Sequence, residues 1–131
     1  MEEIRKFKSG ATRDTDEGKY DYEGFFSPIV VERYGQYMHK HRKQSDGSLR
    51  TSDNWQKGIP VEAYIKSAWR HFLDIWFIHR GYKRFDKQRN EEILMEEALC
   101  ALLFNVMGYL YEVLKNKHND RPFIEKGAKN V

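Results

Sequence analysis

The chain has 131 residues, the usual size of one domain. It carries 23 Lys+Arg against 20 Asp+Glu, a net charge of +3, too small a balance for a strong electrostatic case for nucleic acid or anionic membrane, which usually needs a pronounced basic stripe. With 40% hydrophobic and 15% aromatic residues it is too apolar for a disordered tail, and a chain of this length buries about two thirds of its unfolded surface.

Residues 1–26 are rich in charge and glycine and read as a loop or arm, with Tyr20, Tyr22, Phe25 and Phe26 available to pin it down. Met1–Arg5 lacks the apolar core of a signal peptide. Ser27-Pro28 is a helix start, a capping hydroxyl followed by proline at the first helical position. Val30, Tyr34, Tyr37 and His41 follow at steps of three and four, with Gly35 weakening the helix. Residues 43–58 are polar and hold the turn signal Asp46-Gly47 and the run Asp53-Asn54-Trp55.

Pro60 opens a second helix, with Val61, Tyr64, Ile65, Ala68, Phe72, Ile75, Trp76 and His79 on one face and Gly81 as its stop. Its reverse side is also apolar at Trp69, Leu73 and Phe77, more than a small monomer covers, so a homo-oligomer, a dimer or higher, is expected. Residues 82–90 are strongly charged. A third helix is predicted from about Glu91 to Lys115, acidic in its first turn and basic in its last. From Ala98 to Tyr111 it is apolar nearly all round, which predicts burial on several sides. Asn105 and Gly108 interrupt this run, so no segment reaches the ~18 apolar residues of a spanning helix. Its lone cysteine, Cys100, is expected buried and inert and fits a reducing compartment. The tail, 116–131, contains Pro122 and a possible anchor at Phe123 and Ile124. No stretch alternates as a strand would. The expected fold is all-α: three or four helices packed antiparallel, 27–115, completed by a second copy, in a soluble cytoplasmic protein with no membrane or nucleic-acid partner.

Glu96 and Glu97 are the sharpest candidates. On a helical wheel Glu97 falls among Ile93, Cys100, Phe104 and Tyr111, and Glu96 among Leu103, Met107 and Leu114. An unpaired carboxylate there costs several kcal/mol, which calls for a cation, metal or ligand partner; the alternative is that the helix enters the core only after Glu97 and both stay in water. His71 and Asp74 lie one turn apart at the edge of the second helix's apolar face. With Glu96 or Glu97 they make a candidate set for Zn or Mn, the alternative being a boundary histidine hydrogen-bonded to Asp74. Arg70 points away from the apolar centre, to a phosphate or to solvent. Arg13 and Lys19 stand beside Gly10 and Gly18, which lets backbone approach an anion, although no Gly-Lys-Ser/Thr is present. Asn54, Trp55 and Lys57 combine a base-edge reader, a stacking ring and a phosphate cation, or else Trp55 is a core plug. His39 and His41 receive no chemical role.

In this order, Gly10-Ala11 with Arg13, Gly18-Lys19-Tyr20, Tyr34-Gly35, Asn54-Trp55-Gln56-Lys57-Gly58, Arg70-His71 and Glu97-Ala98-Leu99-Cys100-Ala101 resemble the phage-encoded domain called dATP/dGTP diphosphohydrolase, N-terminal. That domain is similar to the MazG-like all-α nucleotide pyrophosphatases. The resemblance spans about residues 9–110. It implies an oligomeric, nucleotide-binding protein of phage origin acting in host cytoplasm. In the enzymes it implies Mg- or Mn-dependent hydrolysis of a (d)NTP to monophosphate and pyrophosphate. MazG-like enzymes carry Glu-x-x-Glu and Glu-x-x-Asp; here the positions read His71-x-x-Asp74 and Glu97-x-x-Cys100, and Ile93 stands one turn before Glu97. The resemblance gives His71, Asp74 and Glu97 as catalytic and, with Glu96, as metal ligands. Lys19, Arg13, Lys57 and Arg70 would meet phosphate, Asn54 the base edge, and Trp55 or Tyr34 its face. The alternatives are a non-hydrolysing protein that sequesters a host signalling nucleotide, and a small helical interaction protein.

Overall fold

The computed structural model describes residues 3–120, with side chains through 117; the tail anchor at Phe123 and Ile124 lies outside the described residues. The chain divides into two units, residues 1–32 and 33–131.

In the first unit, β1 (Ile4–Lys6) pairs antiparallel with β2 (Thr12–Asp14), with Arg5 opposite Arg13. Arg5 donates to the Asp14 carbonyl and lies 3.4 Å from the Asp16 carboxylate. These strands were not expected. Three residues, nearly all exposed, carry no alternation to read. Asp21 caps the single turn α1 (Tyr22–Phe25), accepting from the Gly24 amide at 2.9 Å. Ser27 starts α2 (Pro28–Lys40) as the sequence predicts, its hydroxyl accepting from the Val30 amide.

The second unit takes up α2 at Arg33. Beyond it, Gly47 at φ +88 turns the chain back, and Lys43 bridges Leu49. Residues Asn54–Lys57 form a 3-10 turn, Pro60 opens α3 (Val61–His79), and Gly81 at φ +92 ends it. The charged stretch that follows is a small antiparallel hairpin, β3 (Phe85–Asp86) with β4 (Glu91–Glu92), turned at Asn90 in the left-handed region. Because Glu91 and Glu92 pair here, the last helix, α4 (Met95–Asp120), starts four residues later than the predicted Glu91 and runs past Lys115.

Helices α3 and α4 run antiparallel. Glu112 meets Ile59 just before α3, the Tyr64 ring meets Phe104, and Asp74 and Glu97 line one pocket. The core between them is small: Tyr64, Ala98, Cys100 and Ala101. A Cβ built on Gly108 runs into the Tyr64 ring, so glycine sets the approach of the two helices. Trp55 sits edge-on against Phe104 and Tyr111, 6.4 and 5.0 Å between centroids, and plugs one side of the pair. The opposite side is bare: Leu99, Leu103, Val106 and Leu110 are exposed. The predicted all-round burial of α4 is therefore corrected to burial on one side within the chain. By length and composition Met95–Lys117 would also suffice to cross a membrane, contrary to the run-length reading; many core helices pass the same test. Helix dominates the described residues, with strand confined to the two small hairpins.

Candidate functional site

The two glutamates at the start of α4 have different surroundings. Glu96 is 68% exposed and bonds Arg33 at 2.6 Å. Glu97 is 19% exposed and bonds Lys40 at 3.0 Å. Starting the helix at Met95 puts both in the first turn, where the helix dipole favours carboxylates. Burial opposes ionisation of Glu97, yet the bonds from Lys40 and from the Leu94 amide leave its carboxyl below the ordinary value. Lys40 also bonds Glu91 at 3.1 Å, and the two carboxylates hold its ammonium pKa up.

Glu97, Asp74 and His71 do come together, in a small pocket of about 70 Å³ shared with Tyr37, Lys40, His41 and Arg89. Asp74 accepts from Arg84 at 2.9 Å, while the His71 ring stands 3.9 Å away, too far for the expected hydrogen bond. Burial lowers the pKa of both His41 and His71. It also pushes the Tyr37 hydroxyl up to about 12. Among the described residues no three His, Cys, Asp or Glu side chains form a metal-holding group. Each carboxylate already faces a cation: Glu96 with Arg33, Glu97 with Lys40, Asp74 with Arg84. Each pairing occupies one oxygen of its carboxylate: Arg33 takes Oε1 of Glu96, Lys40 takes Oε2 of Glu97 and Arg84 takes Oδ1 of Asp74.

A larger cleft of about 620 Å³ lies on the other side of His41, lined mainly by apolar surface. Trp55 and Phe104 supply aromatic walls, and Asn54, Thr51 and Ser52 supply polar groups. His39, His41, Arg42 and Arg50 supply cationic or titratable ones. The two arginines are held by backbone: Arg42 donates to the Arg50 carbonyl at 2.8 Å and Arg50 to the His41 carbonyl at 3.0 Å. Among the described residues neither has a carboxylate within salt-bridge distance, in contrast to Arg33, Lys40 and Arg84. Their remaining N–H groups suit an anion. Volume, apolar lining and a few converging polar groups are the marks of a small-molecule site.

No family model, curated protein or solved structure matches the chain.

The predicted ligand contacts divide. Asn54 and Trp55 line the cleft; Trp55 is at once a core plug and a cleft wall. Lys57 stands on the same 3-10 turn, exposed. Tyr34 is half-buried, with its hydroxyl enclosed and without a protein partner and its pKa pushed up to about 12 by burial. Arg70 is exposed on α3. Arg13, on β2, and Lys19, in the loop before α1, are exposed and belong to the first unit. Cys100 is buried, and burial raises its pKa, as an inert thiol requires. Sequence reasoning missed Arg42, Arg50, His39 and His41. The available signal was cation density from His39 to Arg42 at the end of a helix, followed by a Gly turn that returns Arg50 beside it.

Proposed function

We propose that this chain binds a nucleotide, base against Trp55 and Phe104 and phosphate at Arg42 and Arg50, without hydrolysing it. The observation that carries the reading is the cleft itself, where aromatic walls and two arginines without carboxylate partners share one volume of nucleotide size. The ordered resemblance to phage dATP/dGTP diphosphohydrolase domains supports the same ligand class. Hydrolysis finds less support. The departures at His71 and Cys100 remove hard oxygen ligands, and the carboxylates that remain are engaged by Lys40, Arg33 and Arg84. In this reading the Glu97–Lys40 and Asp74–Arg84 pairs tie α2 and the β3–β4 hairpin region to the α3–α4 pair. The protein would then act by sequestering a nucleotide.

Thermal melting against dNTPs, NTPs and cyclic signalling nucleotides, with and without Mn, tests this. A ligand at 100 times its Kd adds about 2.7 kcal/mol. We expect a raised midpoint, loss of that rise in Arg50→Ala, and ligand recovered intact by chromatography. Manganese-dependent conversion to monophosphate would establish the hydrolase instead. No rise with any nucleotide would return the protein to the class of helical interaction proteins.

A further inference from the structure

We infer that the bare side of the α3–α4 pair is the seat of a second copy of this chain. The exposed apolar side chains of α4 are Leu99, Leu103, Val106, Leu110 and Val113. Their spacing of four and three repeats without a break, which is the seam of two helices packed knobs-into-holes. Exposed Ile65, Trp69, Phe72 and Trp76 on α3 repeat the same spacing. Ala68, Leu102 and Tyr109 join the two stripes through shallow grooves lined almost wholly by carbon. The result is one continuous face, opposite the side that Trp55 plugs.

Three observations select a copy of the chain as occupant. Ala98–Tyr111 holds no charged residue, and the α3 stripe holds none, so the partner surface is apolar and uncharged too. A face with two heptad-spaced stripes is its own complement under a two-fold axis, each stripe offering knobs to the holes of the other. The exposed area of these side chains is on the order of 900 Å², matching the ~800 Å² per partner of a standard stable interface.

The seam is independent of the nucleotide reading and is tested without ligand, by light scattering on the full chain across protein concentrations. We expect a mass at least twice the 15.7 kDa of the chain. Val106→Glu and, separately, Trp69→Glu should return it to one chain, with helix content kept in circular dichroism. Trp69, at 67% exposed, supports nothing in the core of the single chain, so that variant folds even if Val106→Glu does not. The mass of Lys87→Gln, an exposed residue of the β3–β4 hairpin off both helices, should be unchanged. A wild-type protein of single-chain mass at 100 µM would overturn the inference, and so would an assembly whose mass survives Trp69→Glu in a folded protein.

Discussion

Gly108→Ala tests the account of how α3 meets α4. In an exposed helix interior this substitution stabilises by about 0.5–1 kcal/mol, since alanine loses less backbone entropy. Here the new methyl group would collide with two carbons of the Tyr64 ring and with its hydroxyl. That ring is 2% exposed and is held against Phe104, so it has no solvent to swing into. The helices must separate or the ring must leave its rotamer, an overpacking cost of about 1–3 kcal/mol, with the upper part expected for a fully buried ring. After the propensity gain is subtracted, the net loss is about 1–2 kcal/mol. At roughly 4 °C per kcal/mol for a chain of this size, the midpoint falls by about 4–8 °C. Melts should be compared at one protein concentration, because self-association would make the midpoint depend on it. The double variant Gly108→Ala/Tyr64→Leu should cost less than the two single changes added together, because the leucine removes the atoms that collide. A Gly108→Ala protein that melts at or above wild type would refute the close-approach argument, as would strict additivity in the double variant.

Gly35→Ala should move stability the other way. A Cβ at Gly35 meets nothing within 4 Å, so only the helix-propensity gain of about 0.5–1 kcal/mol remains, read as a higher urea midpoint. Glu112→Ala should cost about 1–3 kcal/mol in the same assay. The buried Glu112 carboxylate accepts from the Ile59 amide at 3.3 Å and bonds Lys115 at 3.1 Å, and its loss strands both donors. Stability should also fall on acidification from pH 7 to 5. Burial lowers the His41 and His71 pKa in the folded chain, so in the window below about 6.5 the unfolded chain takes up protons first, and stability drops toward the folded-state values. His71→Gln should flatten that slope, and an unchanged slope would show that the buried imidazoles are not its source.

The helices were legible where local chemistry fixes them. Ser27-Pro28, Pro60 and Gly81 mark ends because a capping hydroxyl, a missing amide and a left-handed backbone act within a turn of their own position. The strands were not legible, because two- and three-residue ladders are too short to show a period, and Glu91–Glu92 looks like the acidic first turn of a helix until Phe85–Asp86 folds back on it. The site was legible in part. Helical spacing alone puts His71 beside Asp74, and the antiparallel pairing of α3 and α4 then brings Glu97 to them. What spacing does not contain is the cation opposite each carboxylate. Lys40, Arg33 and Arg84 come from 10 to 63 residues away, and each sets an ion pair on one carboxylate of the candidate set.

That arrival also explains how a chain of net charge +3 makes a locally basic cleft. The end of α2 gathers His39, Lys40, His41 and Arg42 within four residues, at a helix C-terminus where positive charge is favoured. Helical rotation splits them between two sites. Lys40 reaches Glu91 and Glu97, His39 and Arg42 line the large cleft, and His41 lines both pockets. Lys40 therefore holds α2 to α4, while Arg42 has only a backbone carbonyl for a partner and is one of the two arginines to which the proposed nucleotide's phosphate is assigned. Reversing the two should expose the division. Lys40→Ala should lower the melting midpoint of the unliganded protein, while Arg42→Ala should leave that midpoint nearly unchanged and abolish the rise that nucleotide produces. A large loss of unliganded stability in Arg42→Ala would show that this arginine, too, is structural, and would move the phosphate contact away from the cleft.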